Sequence, residues 1–390
     1  MSLQDVVLVD AVRTPFGKGG GVYANHRADD LGVAVVRALL ERSGLDPALV
    51  EDVGIAATSQ VGDQGVTLGR SIALLAGMPN SVPGYAVDRM CSGAMTATTQ
   101  IASEIATGMI DIGIAGGVEH MGRHPIGASF DVNPRFLVER LVAPDALNMG
   151  VTAENLHDRY PSLTKERADA FAVRSQQRTA AAYEQGAFAA QLVPIGTRDA
   201  EGAWTYVTRD EPPRPDTTME GLANLRTPFR PNGRVTAGNA SGINDGATAA
   251  LLMREQTARD LGLTPRARMV AYAFAGVEPE IMGYGPIPST VKALAKAGLG
   301  MESMDIIEIN EAFAVQVLAF LEHFGLADDA AHVNTYGGAI AVGHPLATSG
   351  IRLMANMVER FRRDPGARFG LTTMCIGLGM GASVIWENVR

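Results

Sequence analysis

The chain has 390 residues, 46% of them hydrophobic and 19% charged, enough to bury a large core and too long for one domain of the usual ~100 to 200 residues. A formal charge of −9 with no cluster of Lys and Arg excludes a nucleic-acid-binding face, which depends on such clusters. The 44 glycines have no short period and read as tight turns and close helix packing in two or three globular units.

The first residues, Met1-Ser2-Leu3-Gln4-Asp5, carry no basic leader, and the last, Glu387-Asn388-Val389-Arg390, form no peroxisomal address. An apolar stretch at 109–118 is interrupted by Asp111, Gly113, Gly116 and Gly117 and is too short to span a bilayer. A soluble, cytoplasmic protein is expected. Its two cysteines, Cys91 and Cys375, are then free thiols, because a cytosolic setting keeps thiols reduced.

In chain order, the first clear unit is Arg42-Ser43-Gly44-Leu45 followed by Val50-Glu51-Asp52-Val53-Gly54-Ile55. It reads as an amphipathic helix closed by glycine, a polar turn and a buried strand. Next, Tyr85-Ala86-Val87 reads as a short strand leading into Asp88-Arg89-Met90-Cys91-Ser92-Gly93, and helical spacing continues through Ala94, Met95, Thr98, Ile101, Ala102 and Ile105. Cys91 therefore falls at a helix N-terminus, where free amides and the helix dipole are expected to lower the thiol pKa.

Composition changes between residues 119 and 244, with helices expected over 165–186 and near 219–225 and a proline-rich, charged run at 209–215. This segment reads as an insertion into the first half. The expected organisation is an N-terminal half of 1–118 with 245–267, a loop domain at 119–244 and a C-terminal half at 268–390. Composition favours a solvated cap over a lid or ligand cradle for the insertion.

The first unit then recurs. Lys296-Ala297-Gly298-Leu299 and Met304-Asp305-Ile306-Ile307-Glu308-Ile309 align with it without gaps at an offset of 254 residues, Gly44 falling on Gly298. The same offset brings Cys91 to position 345, beside His344, so both should follow a strand and open a helix in matching places of two halves that face a common cleft. Asn310 closes the strand at 305–309, where it fits a helix cap and also the strand end at which α/β proteins bind ligands. Gly343-His344-Pro345 precedes a helix at 346–361 and holds its histidine rigidly.

Cys375 ends a strand at 369–374 and enters Gly377-Leu378-Gly379-Met380-Gly381, after which the chain closes in a second strand. A dinucleotide fingerprint needs a helix there, so the run is a hairpin whose glycine amides can approach a substrate oxygen. No metal-ligand spacing occurs.

With these residues in place, the sequence resembles the thiolase family over its whole length. The segments carrying the resemblance are Ala11-Val12-Arg13-Thr14-Pro15-Phe16-Gly17-Lys18, the Cys91 turn, Gly116-Gly117-Val118-Glu119-His120-Met121-Gly122, Asn239-Ala240-Ser241-Gly242-Ile243-Asn244-Asp245-Gly246, Asn310-Glu311-Ala312-Phe313, the stretch 337–345 and the Cys375 hairpin. The resemblance implies an α/β thiolase fold: two similar βαβαβαββ halves in a five-layer αβαβα arrangement with an inserted loop domain. By position, Cys91 resembles the nucleophile that is acylated, His344 the residue activating it and Cys375 the general acid/base. Asn310 resembles the holder of a water that forms one oxyanion hole with His344, and the amides of Cys91 and Gly377 would form the other. Ser241 and Arg214 match coenzyme A contacts, and Met149, Ala312 and Phe313 match a tunnel lining.

The resemblance implies no tightly bound cofactor and no metal, coenzyme A as co-substrate, and a homodimer or homotetramer. Glu119-His120-Met121-Gly122, Asn133-Pro134-Arg135 and Ile281-Met282-Gly283-Tyr284-Gly285-Pro286 resemble degradative bacterial 3-ketoacyl-CoA thiolases, so fatty-acid β-oxidation is expected, with a hydratase/dehydrogenase subunit as a candidate partner. The alternatives are a biosynthetic acetoacetyl-CoA thiolase, a ketoacyl-synthase-type condensing enzyme, which has no second cysteine in a glycine hairpin, and a non-catalytic acyl-CoA-binding relative. Two departures from the family pattern, Ala347-Thr348 after Gly-His-Pro-Leu and Ser92-Gly93-Ala94 after Cys91, bear on the acyl pocket.

Overall fold

The computed structural model describes residues 3–198 and 202–389. Met1, Ser2 and Arg390, on which part of the targeting expectation rests, lie outside the described residues. The strands are β1 (Val6–Arg13), β2 (Gly17–Lys18), β3 (Asp52–Ala56), β4 (Tyr85–Val87), β5 (Ile112–His120), β6 (Ile195–Arg198), β7 (Trp204–Val207), β8 (Asn244–Arg254), β9 (Ala267–Gly276), β10 (Ile306–Ile309), β11 (Phe369–Ile376) and β12 (Met380–Asn388).

The first half orders its strands β4-β3-β5-β8-β1 and the second β10-β11-β12-β9. In the first, β3 runs parallel to β4 and β5, and β8 runs antiparallel to β5 and β1. The second repeats this, with β10 parallel to β11 and β12 antiparallel to β11 and β9. The two sheets join through β1 and β9 at only two residue pairs, Val7 with Arg268 and Leu8 with Ala267. So short a seam leaves packing to hold the halves together.

That packing is a central layer of two helices, Gly93–Thr107 and Ser349–Arg363, which touch each other and cover β3, β5 and β8 on one side and β10 and β11 on the other. Ala94, Met95, Ile101, Leu353, Met354 and Met357 are wholly buried there. Outside, Ala28–Ser43 and Leu68–Leu75 cover the first sheet and Pro286–Ala297 covers the second, giving five layers. Both repeat helices stop on a left-handed glycine, Gly44 at φ 64° and Gly298 at φ 66°, a conformation in which a Cβ is penalised.

Besides the insertion between β5 and β8, the repeat breaks after β10. Opposite β4, the second half has a single parallel bridge between Ile307 and Val333, and the helical turn Ala339–Val342 then precedes His344. The expectation that His344, like Cys91, directly follows a strand is thus corrected. Glu311 explains the detour: its carboxylate accepts from Asn334 Nδ2 (2.9 Å), Ser175 Oγ (2.6 Å) and the Ile340 amide (3.3 Å), which fixes the longer path against the helix Lys165–Glu184.

The segment after β5 holds the helices Met149–Arg159, Lys165–Glu184 and Met219–Ala223 and the hairpin β6-β7. The hairpin and the first of these helices carry no strong sequence signal. Among the described residues no helix is long and apolar enough to cross a membrane.

Candidate active site

Cys91 lies in a 3-10 turn, Met90–Ser92, that runs directly into the helix Gly93–Thr107. Met90 holds the left-handed region at φ 46°, a strained conformation for a residue with a side chain. Asp88 secures it, its carboxylate accepting the Met90 amide at 2.6 Å. The turn packs against β11, which carries Cys375, and against the turn Leu346–Thr348 that follows His344.

Cys91 and Cys375 are free and buried, and Cys91 acts electrostatically on Cys375. Burial pushes the Cys91 thiol up to about 11, against the pull of the Gly377 and Cys91 backbone amides, which favour the thiolate. Burial also raises Cys375 well above the ordinary thiol range, and the neighbouring Cys91 adds to the rise. The sequence-based expectation of a depressed Cys91 pKa is therefore corrected: the helix N-terminus is present, but desolvation outweighs it. On the order of one Cys91 in ten thousand is thiolate at pH 7, so the thiol is almost wholly protonated there.

His344 is buried and driven down to about 3, first by desolvation and then by the nearby Arg352 charge. It is neutral at physiological pH, since burial and the Arg352 charge both disfavour its protonated form. Its Nδ1 lies 2.6 Å from Ser349 Oγ, and its backbone amide donates to Asn244 Oδ1 at 2.9 Å. Asn310 Nδ2 approaches the ring at 3.3 Å from Nε2 and 3.5 Å from Nδ1. Asn310 is not a helix cap: the following helix, Ala314–His323, starts after Phe313, and the asparagine side chain turns inward to His344 and Arg352.

The remaining candidates fall at different distances from this cluster. Ser241 and Ala312 are joined by a backbone hydrogen bond of 3.0 Å, next to a bridge between Ala240 and Phe313. A Cβ on Gly377 would lie 3.6 Å from Met149 Sδ, so the inserted segment reaches the hairpin after Cys375 instead of forming a purely solvated cap. Arg214 is exposed, and its amide donates to Gln176, whose Nε2 bonds the Ile340 carbonyl in the turn before His344.

Sequence reading missed Ser349, Arg352, Asn244 and Glu119 as members of this neighbourhood. Buried Glu119 accepts from the amides of Thr58 and Ala347 at 3.1 Å each and from Gln64 Nε2 at 3.1 Å, tying the first half to the loop after His344. Among the described residues this carboxylate meets donors and no cation, a signal that appears only once the halves are packed.

The N-terminal domain of thiolases matches residues 6–256 and the C-terminal domain of thiolases matches residues 263–388. The chain belongs to the thiolase family. It is 45% identical to the 3-ketoacyl-CoA thiolase of Saccharophagus degradans, with all of both chains covered. It is 44% identical to the 3-oxoadipyl-CoA/3-oxo-5,6-dehydrosuberyl-CoA thiolase of Escherichia coli, covering 99% of this chain and 100% of that one. Among solved structures, human mitochondrial 3-ketoacyl-CoA thiolase superposes with a TM-score of 0.91 at 35% identity, and Bacillus anthracis acetyl-CoA acetyltransferase with a TM-score of 0.90 at 37% identity, each over the full length of both chains.

Proposed function

We propose that this thiolase is an acetyl-CoA C-acyltransferase that cleaves 3-ketoacyl-CoA with coenzyme A, giving acetyl-CoA and a shortened acyl-CoA. The observation that carries this reading is the pair of buried free thiols from opposite halves, with the Gly377 amide at Cys91. In the first half-reaction Cys91 sulfur bonds to the 3-keto carbon while His344 takes its proton. The Cα–Cβ bond then breaks, the electron pair forms an acetyl-CoA enolate, and Cys375 protonates its carbon. In the second, Cys375 takes the proton of incoming coenzyme A, whose sulfur attacks the acyl group on Cys91; the carbon–sulfur bond to Cys91 breaks, acyl-CoA leaves, and the Cys91 sulfur takes its proton back from His344.

Negative charge builds up at two oxygens in this scheme. The Cys91 and Gly377 amides serve the former keto oxygen, and Asn310, through a water, together with His344 serves the thioester oxygen of the enolate. Coenzyme A is a co-substrate, bound along Ser241, Ala312, Phe313, Met149 and Arg214. No bound metal is needed, since the charge is met by amides and an imidazole.

A role in fatty-acid β-oxidation fits the 3-ketoacyl-CoA thiolase relatives, and the compartment is cytoplasmic. Self-association as a homodimer or homotetramer is supported by the outer edge strand β4, whose Tyr85, Ala86 and Val87 line a cleft of about 640 Å³ with Tyr272 and Phe274. A hydratase/dehydrogenase subunit is the proposed further partner. Thiolysis rates over a chain-length series of 3-ketoacyl-CoAs, with 3-oxoadipyl-CoA as the dicarboxylic member, test the reading: activity on none of them would overturn it.

A further inference from the structure

Glu308 lies on β10 and Asn310 just beyond it, two residues on, so strand alternation turns both side chains the same way, onto the central helix Ser349–Arg363. On that helix Ser349, Arg352 and Asn356 share one face at spacings of three and four residues. Three contacts result. Ser349 Oγ meets His344 Nδ1 (2.6 Å), Arg352 Nη2 donates to Asn310 Oδ1 (2.9 Å), and Asn356 Nδ2 donates to Glu308 Oε2 (3.1 Å).

Arg352 is only 1% exposed, yet among the described residues it makes no ion pair, its Nε and Nη1 have no hydrogen-bond partner, and its one hydrogen bond goes to Asn310. The buried Glu308 and Glu311 carboxylates attract its charge from beyond ion-pair distance, yet the guanidinium is hydrogen-bonded to the Asn310 amide and not to either of them. Every polar group on an arginine is a donor, so only the oxygen end of the Asn310 amide can face it. The nitrogen end is thereby turned to the opposite side, where it meets His344.

We infer that Arg352 is a positioning residue: by binding the Asn310 oxygen it fixes the Asn310 nitrogen as the donor that, through the water, serves the enolate oxygen. The inference rests on the thiolase reaction proposed above, and it makes a selective demand. Carbon–carbon cleavage places charge on the enolate oxygen, whereas exchange of the acyl group between acetyl-CoA and labelled coenzyme A passes through acyl-Cys91 and places charge on the acyl oxygen alone.

The test measures acetoacetyl-CoA thiolysis and acetyl-CoA/labelled coenzyme A exchange on the full chain and on Arg352→Gln, Arg352→Lys and the double variant Glu308→Gln/Arg352→Gln. Glutamine can offer either amide end to Asn310, so thiolysis kcat should fall about 30-fold, below the ~10²- to 10³-fold loss seen when a stabilising donor is deleted outright. KM and exchange should stay within about threefold. Lysine, also a pure donor, should bring thiolysis back to within about tenfold of the unmodified protein. The double variant removes the carboxylate that Arg352→Gln would leave beside a lost charge, and it should show the same split with an unchanged melting temperature. A parallel fall in thiolysis and exchange in both glutamine variants, or thiolysis unchanged in Arg352→Gln, would overturn the inference. If the unmodified protein catalyses neither reaction, the proposed function itself is overturned and the inference with it, a result read before any variant is made.

Discussion

The amide of Gly377, in the β11–β12 hairpin of the C-terminal half, acts on the thiol of Cys91, at the start of a helix in the N-terminal half. A Cβ on Gly377 would stand 2.6 Å from Met90 Sδ, inside contact distance, and Met90 is the strained residue that aims Cys91. Gly377→Ala should therefore displace the hairpin amide, the Cys91 turn or both. Since both half-reactions place charge on the acyl oxygen, thiolysis and acyl exchange should fall together, by about 10- to 100-fold, with a melting temperature within a few degrees of the unmodified protein. Steady-state assays of both reactions check this. A fall in thiolysis alone would count against the Gly377 amide serving that oxygen.

Cys375 sits on β11 with no exposed surface, and its proposed task is to move protons, not to carry the acyl group. Cys375→Ala should accept an acyl group slowly from acetyl-CoA and fail to pass it on at a useful rate, with turnover lowered about 10²- to 10⁴-fold, the range usual for loss of a general acid/base. Cys91→Ala should accept none. Intact-protein mass spectrometry after incubation with acetyl-CoA distinguishes them, and an acyl adduct on Cys91→Ala would exclude Cys91 as the nucleophile.

Much of this arrangement is legible in the sequence because local rules set it. The glycine-capped helices before β3 and β10, the glycine hairpin after Cys375 and the apolar helix after Cys91 all follow from periodicity and turn chemistry. The electrostatics are less accessible. Proximity of Cys91 to a helix N-terminus predicts an acidic thiol, but the burial that raises it comes from β11 and from the turn after His344, more than 250 residues away in the chain. Arg352 escaped for the same reason: its partner Asn310 lies 42 residues earlier, and the strand alternation that aims Asn310 at it becomes informative only once β10 and the central helix are known to be in contact. The extra turn before His344 was hidden because the gapless repeat runs up to β10 and breaks just after it.

The raised Cys91 pKa has a direct chemical consequence. Below about 11, each unit of pH should raise the thiolate fraction roughly tenfold, so alkylation by iodoacetamide in the absence of substrate should be slow at pH 7 and accelerate steeply through pH 8 to 10. Cys91 is 8% exposed and Cys375 is fully buried, so one equivalent should label first, on Cys91, with loss of activity in proportion. Peptide mapping of partly labelled protein checks the order. A rate that is already flat above pH 7 would mean that the Gly377 and Cys91 amides outweigh burial.

Glu119 accepts from the Thr58 amide and the Gln64 side chain of its own half and, across to the other half, from the Ala347 amide beside the site. Burial raises its pKa, while the Thr58 side chain and then these three contacts oppose the rise. A glutamine at this position has one acceptor oxygen and one donor nitrogen, so at least one of the three contacts becomes donor facing donor. That leaves a buried amide unsatisfied, at a cost of about 1 to 3 kcal/mol. Ala347 transmits the disturbance in two directions: it lies three residues after His344, and its Cβ is 3.1 Å from where a Cβ on Gly93, in the Cys91 helix, would stand. Glu119→Gln should therefore lower the melting temperature by a few degrees and lower kcat for thiolysis about tenfold or more, although Glu119 touches neither substrate nor sulfur in the proposed scheme. Thermal denaturation and steady-state thiolysis measured on the same preparation test this, and an unchanged melting temperature with unchanged kcat would show that the tie between Glu119 and Ala347 does not hold the halves in register.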